Sequence, residues 1–338
     1  MLKLNFFKKI KADTIGLDLG STNTVIYSKK SKKFLIEKTI ISNPFEDKYF
    51  YGNDVQKVEH FLQKTINPVR NGIICENKLS KNMINFFISK INEGQTYSLF
   101  RNNMIVGLPF QANEIEKNNM LELLELCNSK NVLFVYKNIA SGLGANLQNS
   151  SIIIDIGGET TEMSLIFNNN IIENRYINLG GKDIDNYINE YIDHKYGVFI
   201  GRNTANKVKE QIGAVCLKKN TKQKEKIVYG RNLNSKKLEK ITITQYDIVS
   251  ACSEFTNLLI ENLINLIDAT PPELLEEIKN NSITLCGGSS QISGLDIAIK
   301  NATDIQTNII KEPQLCLAKG LKKIIDNYNN YKHLLFSA

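Results

Sequence analysis

Gly16-Leu-Asp-Leu-Gly-Ser-Thr-Asn-Thr24 and Asp155-Ile-Gly-Gly-Glu-Thr-Thr-Glu162 decide how this chain is read. Each follows or sits in a β-branched apolar run, and each sets an aspartate just ahead of a tight, hydroxyl-lined turn. Backbone amides and hydroxyls of such a turn can cradle phosphate oxygens, as nests and helix N-termini do. The aspartate then stands where it can hold Mg²⁺ or its water shell. One such turn fits many proteins. Two of them predict a nucleotide clamped between two similar domains.

Outward from the first turn, residues 14–38 read as strand, turn, strand and a third short strand at 34–36. Residues 45–64 form a small insertion ending in a helix-like stretch. A helix follows over 80–91, with Ser80 as its N-cap and Met83, Phe86, Phe87 and Ile91 on one face. Then come a buried strand at 104–108, an amphipathic helix at 113–128, a strand at 132–136 and a small-residue helix at 139–147. At Ser151 the pattern restarts with a strand at 152–155, the glycine turn, and strands at 163–167 and 171–176. After the turn Gly180-Gly181, helices are expected at 183–196 and 204–213, a basic hairpin at 227–244 and one long helix at 246–267. Pro271-Pro272 opens another helix, a strand at 283–286 runs into Gly287-Gly288-Ser289-Ser290, and a helix at 315–328 closes the chain. The order of hairpin with phosphate turn, further strand and helix thus occurs twice. It predicts a duplicated α/β architecture facing one cleft.

The 338 residues suffice for two domains with a core in each. Hydrophobic and charged fractions of 42% and 23% are those of an ordinary globular protein. The net charge of +7 is scattered except around Lys218-Lys219, Lys222, Lys224, Lys226, Lys236-Lys237 and Lys240. That run reads as a solvated hairpin or as a weak polyanion attractor. Six cysteines without a C-x-x-C pair and three dispersed histidines argue against zinc and fit a reducing cytoplasm. No cleavable signal and no bilayer-spanning apolar run are present. In residues 1–11, Leu2, Phe6 and Ile10 recur at helical spacing among lysines, as an interfacial amphipathic segment or a frayed tail.

The two turns, together with Leu285-Cys-Gly-Gly-Ser-Ser290, resemble the two phosphate motifs and the adenosine motif of the actin-like ATPases, and most closely the MreB group of bacterial actins. Asn67-Pro-Val-Arg-Asn-Gly-Ile-Ile-Cys-Glu76 is similar to that group's first hinge motif, and Thr204-Ala-Asn-Lys-Val-Lys-Glu-Gln-Ile-Gly213 to its adenosine-binding helix. Ala269-Thr-Pro-Pro-Glu-Leu274 and Glu312-Pro-Gln-Leu-Cys-Leu-Ala-Lys-Gly320 are further matches in order, so the resemblance runs over about 14–326.

The resemblance implies the actin-like ATPase fold: two duplicated α/β domains around a nucleotide cleft, each with a small inserted subdomain. Domain I would span 14–150 with an insertion near 33–65, completed by the C-terminal helix at about 315–338. Domain II would span 151–314 with an insertion near 184–245, and residues 1–13 would form the N-terminal segment. ATP or ADP with Mg²⁺ is the implied ligand. Asp18 would stand near the metal, and Asp155 would orient its water shell. Gly20, Ser21, Thr22 and Asn23 would cradle phosphates on one side; Gly157, Gly158, Glu159 and Thr160 would do so on the other. Gly181, Asn206, Lys209 and Glu210 would border base and ribose, with Gly287, Gly288, Ser289 and Ser290 beneath the adenosine. Asp155, Thr161, Lys137 and Glu159 fall at catalytic positions, and Gly142 and Gly144 on the second hinge.

The implied partners are further copies of the chain in paired protofilaments, the inner membrane surface, and other bacterial actin paralogues or a membrane anchor protein; nucleic acid is not among them. The implied location is cytoplasmic and cytoskeletal, peripheral to the inner face of the membrane, in a cell-shape or motility role. Leu99 and Phe100, in Tyr97-Ser-Leu-Phe-Arg101, fall where the family carries an apolar membrane-inserting loop; packing beneath the next strand is the other reading.

Two departures stand out. Lys137, in Tyr136-Lys137-Asn138, takes the place of the family's water-positioning glutamate, and an ammonium cannot accept a proton or hydrogen bond from water. Slow hydrolysis is the expectation, since losing a positioned base commonly costs about 10²–10⁴-fold. Glu159 replaces a third loop glycine, which implies strain if φ is positive there and repulsion toward phosphate unless a cation such as Lys137 offsets it. Glu159 as the substitute water activator stays open. An actin-fold small-molecule kinase, a heat-shock-type chaperone and a plasmid-segregating filament are the competing functions; the chaperone is disfavoured by the absence of room for a peptide-binding domain.

Overall fold

The computed structural model describes residues 12–45, 48–61, 65–70, 72–92, 101–147, 150–217 and 222–337. The N-terminal residues 1–11 and the Leu99-Phe100 pair lie outside them. The chain divides into two compact units, one of residues 1–145 with 317–338 and one of 146–316.

Each unit is organised on a five-stranded sheet of the same topology. In the first, the order is Lys33–Lys38, Asn23–Ser28, Thr14–Leu19, Asn102–Leu108, Ser129–Tyr136. The first three strands form an antiparallel meander, and the last two join Thr14–Leu19 in parallel. In the second, the order is Asn170–Ile177, Thr161–Phe167, Ser150–Ile156, Ile283–Cys286, Thr307–Ile309, again a meander followed by two parallel strands.

The lead strand is central in both sheets, which explains its composition. Ile152, Ile153 and Ile154 are all fully buried, as are Ile15 and Leu17. A strand covered on both faces reads as a continuous apolar run. Around Ile152 and Ile154 the second unit packs Ile184, Ile188, Val208, Phe255, Leu259 and Leu285. Around Ile15 and Leu17 the first packs Met83, Phe87, Val106, Leu123 and Phe134. The second unit also carries a three-stranded sheet of Val198–Phe199, Glu225–Asn232 and Leu238–Thr244.

Several local expectations change. The helix expected from Ser80 starts earlier, at Asn77–Ile91 with Glu76 at the cap, and Ser80 is buried inside it. Its inward face is Met83, Ile84, Phe87, Ile88 and Ile91, and Phe86 is only partly buried. The long helix expected over 246–267 is two helices, Gln245–Ala251 and Ser253–Asp268, divided at Cys252. The apolar period continues through the break and so conceals it. The closing helix is Cys316–Asp326, followed by a short one at Tyr328–Tyr331. By contrast, the helix Glu114–Leu126 starts as its sequence dictates: Asn113 accepts from the Glu116 amide at 2.9 Å, and the Glu116 carboxylate accepts from the Asn113 amide at 3.0 Å.

Candidate functional site: two equivalent turns

In the first unit, Asp18 pairs with Val25 near the end of the first hairpin, and the Gly20 amide donates to the Asn23 carbonyl at 3.1 Å. The loop between is therefore Ser21-Thr22, with Ser21 buried and Thr22 exposed. Thr39 braces it from behind. The Thr39 amide donates to Thr22 O at 2.8 Å, and its hydroxyl donates to Gly20 O at 2.6 Å. The hydroxyls of Thr24 and Thr39 also meet at 2.9 Å. Thr39 was not singled out from sequence, because a lone threonine after a strand carries no motif.

Helix Lys137–Ala145 begins directly where strand Ser129–Tyr136 ends. This places the Lys137 ammonium 3.5 Å from Asp18 Oδ1, with both side chains 17% exposed.

In the second unit, Asp155 pairs with Glu162, and the Gly157 amide donates to the Thr160 carbonyl at 2.9 Å, leaving Gly158-Glu159 as the loop. Three donors hold its carbonyls: Gly181 N–H to Gly157 O at 3.0 Å, Ser289 Oγ to Gly157 O at 2.7 Å and Lys182 N–H to Gly158 O at 2.7 Å. A Cβ at Gly180 would stand 2.6 Å from the Glu159 amide nitrogen, so the following helix packs on the loop at backbone contact. That approach brings Lys182 Nζ to 2.5 Å from Glu159 Oε1. Glu159 is not among the residues with positive φ, which removes the expected strain. Its charge has a cation within its own unit, just as Lys137 has a carboxylate within its own, so neither needs the Lys137–Glu159 pairing for neutralisation.

The remaining sequence-derived positions converge in the second unit. Gly181 opens the helix Gly181–Tyr196, and its carbonyl accepts from Lys209 Nζ at 2.6 Å. The same ammonium lies 2.7 Å from Asp185 Oδ1, and Asn206 Nδ2 donates to Asp185 Oδ2 at 3.4 Å. Burial pushes the Asp185 carboxyl up, and Lys209 counteracts that push. Lys209 and Asn206 thus tie helix Arg202–Ile212 to the first turns of the preceding helix, while Glu210 is exposed. Thr161 is fully buried and donates its hydroxyl to Leu179 O at 2.7 Å, bracing the exit of the loop.

Gly287 has φ +81°, and a Cβ there would collide with Asp155 Oδ1 and the Ile156 carbonyl. Only glycine lets the chain turn so close beneath the aspartate. Gly288 is exposed with open space around it, and Ser290 is buried with its hydroxyl on Gly287 O at 2.8 Å.

Each loop, taken by itself with its flanking hydroxyls and preceding aspartate, fits phosphate oxygens in donor type. The aspartate ahead of each loop is also of the donor type Mg²⁺ takes, a single carboxylate with the rest of the shell left to phosphate and water. Among the described residues no group of three His, Cys, Asp or Glu could hold a metal by itself. The fit is least good at Asp18, where Lys137 already supplies a cation.

Comparisons with known proteins agree with this duplicated design. The cell shape-determining protein MreB of Escherichia coli K12 is 26% identical over 348 residues, covering 99% of each chain. The Haemophilus influenzae protein of the same description is 26% identical over 330 residues, covering 93% of this chain and 94% of that one. Among solved structures, MreB5 of Spiroplasma citri bound to ADP matches with a TM-score of 0.86 at 23% identity, covering 96% of this chain and 99% of that one. A MamK double helical filament matches with a TM-score of 0.81 at 19% identity, covering 94% and 99%. The fold is therefore that of the bacterial actins. The sequence model of the MreB/Mbl protein family matches residues 12–333, and this chain belongs to that family.

Proposed function

We propose that this protein is an ATP-binding bacterial actin that polymerises into membrane-associated filaments serving cell shape or motility, with slow ATP hydrolysis. The observation that carries the reading is the repeated hairpin, in which Asp18 and Asp155 each lie two residues before a glycine that closes a two-residue loop. Family membership favours this reading over a small-molecule kinase or a plasmid-segregating filament. The domain boundaries would follow the actin plan, with insertions near 33–65 and 184–245.

Ser21, Thr22 and Asn23, with Gly157 to Thr160, would bind the phosphates through amides and hydroxyls. Gly287 to Ser290 would lie against the adenosine. Asp18 and Asp155 would hold bound Mg²⁺ through its water shell, and the metal would supply charge neutralisation at the γ-phosphate. Lys137 offers no acceptor to orient an attacking water, and so hydrolysis is slow.

Self-association is supported by an exposed face of the three-stranded sheet on which large apolar side chains alternate with basic and polar ones. Phe199, Ile227, Tyr229 and Leu238 are 52, 50, 59 and 76% exposed, and the strand registers set Phe199 and Leu238 opposite Arg231, Ile227 opposite Thr242 and Tyr229 opposite Lys240. Clustered apolar exposure of this kind marks an interaction surface. Among the described residues no helix is long and apolar enough to cross a membrane. Contact with the membrane would come from residues 1–11 and Leu99-Phe100, two weak anchors multiplied along a filament.

Calorimetric titration of the purified protein with ATP and ADP in Mg²⁺, beside co-sedimentation with anionic liposomes, tests the reading. Saturable binding of both nucleotides and pelleting with vesicles are expected. Absence of nucleotide binding would remove the proposed function.

A further inference from the structure

Lys137 does more in this structure than remove a water-orienting glutamate. Its aliphatic stem runs alongside Gly107, with Cγ 3.4 Å from where a Cβ would stand, and its ammonium ends 3.5 Å from Asp18 Oδ1. The pair is fixed at both ends. Asp18 sits in a strand hydrogen-bonded on both sides, and Lys137 is the first residue of a helix. Both side chains are only 17% exposed, so solvent screens the pair weakly.

Two consequences follow for a polyanion seated on the Ser21-Thr22 loop. A divalent cation approaching Asp18 meets an ammonium that already shares the carboxylate, which weakens its hold. The same ammonium places a positive charge beside the loop, and a lysine ammonium is a compact point charge well suited to phosphate. In the other unit Lys182 matches the Glu159 charge, so that loop gains no uncompensated anion.

We propose that Lys137 takes over part of the charge neutralisation that Mg²⁺ would provide, so that nucleotide binding in this protein is only weakly dependent on divalent cation. The inference rests on the reading of the two loops as the nucleotide site and specifies how that site is regulated. Lys137 is a positioning charge here, distinct from any part in the hydrolytic step.

The test measures ATP affinity with the full-length protein, using a fluorescent ATP analogue competed by ATP, in excess Mg²⁺ and in EDTA. The wild type is expected to lose less than about tenfold in affinity on chelation. Lys137→Gln is expected to lose about 100-fold, in line with the 1–3 pK units by which one nearby charge shifts another's equilibrium. Lys137→Arg should restore the wild-type ratio, which separates charge from packing, and a thermal melt identifies any variant that fails to fold. Equal chelation ratios for wild type, Lys137→Gln and Lys137→Arg, with tight binding in Mg²⁺, would overturn the inference and leave the proposed function standing. No ATP binding by the wild type in either buffer would overturn both.

Discussion

Asp18 and Asp155 occupy the same place in two copies of one hairpin. Each lies two residues ahead of a glycine whose amide closes a two-residue loop, Gly20 on Asn23 at 3.1 Å and Gly157 on Thr160 at 2.9 Å. The repeated register extends through the sheets, where each lead strand pairs antiparallel on one side and parallel on the other. The chain departs from this symmetry in its charges, with Lys137 beside Asp18 and Lys182 beside Glu159.

Gly287 and Gly288 are adjacent and should differ sharply on substitution. Gly287→Ala forces a side chain into φ +81° and against Asp155, whereas Gly288→Ala meets open space. The first is expected to cost about 2–4 kcal/mol and to impair ATP binding; the second is expected to cost under about 1 kcal/mol. Thermal or urea melts of both variants check this, and equal costs would contradict the packing described beneath Asp155.

Lys182→Ala leaves the Glu159 carboxylate without its 2.5 Å partner. A loss of about 1–3 kcal/mol is expected, together with weaker ATP binding, because the loop then loses the cation that offsets part of the Glu159 charge. Adding Glu159→Gly should recover the binding, and a double-mutant cycle measures the coupling. Additive effects would show that the pair is not coupled.

Lys137→Glu restores an acceptor able to orient water. Phosphate release under polymerising conditions should rise by about 10²-fold or more. It is best measured with and without Glu159→Gly, since Glu159 is an acidic side chain within the second loop. Wild-type release already as fast as that of a glutamate-bearing relative would contradict slow hydrolysis and point to Glu159 as the water's base.

Asp247 predicts an acid-sensitive element in the second unit. Burial pushes its carboxyl up, but hydrogen bonds from Lys195, Thr244 and Tyr196 outweigh that and hold it below its ordinary value. A depressed carboxyl contributes stability that is fully present above the unfolded value of about 3.9 and is lost as pH falls through the lower folded value. Asp247→Asn should therefore flatten the stability curve below about pH 4 and lower stability at neutral pH. An unchanged acid limb in pH-dependent melts would contradict this.

The sheets and the two loops were legible in the sequence because their signals are local: β-branched runs such as Ile152-Ile153-Ile154, each ending in an aspartate and glycines. What was not legible depends on distant contacts. Ser80 has the chemistry of a cap, yet its neighbours fold so that Glu76 takes that position. Cys252 divides a helix whose apolar period never falters. Lys182 follows a glycine turn with nothing to mark it as the Glu159 partner, and only the backbone contact at Gly180 creates the pair. Thr39 reaches its loop across a strand pairing, which no spacing rule reveals.

Sedimentation decides whether the chain assembles. The protein is spun with ATP, with ADP and without nucleotide, beside Leu238→Glu, which places a charge at a site 76% exposed and should alter stability by no more than about 0.5 kcal/mol. Wild-type protein is expected to pellet as filaments in a nucleotide-dependent manner, while Leu238→Glu stays folded, binds nucleotide and remains in the supernatant. Wild-type protein that binds nucleotide yet stays in the supernatant under every condition would contradict assembly.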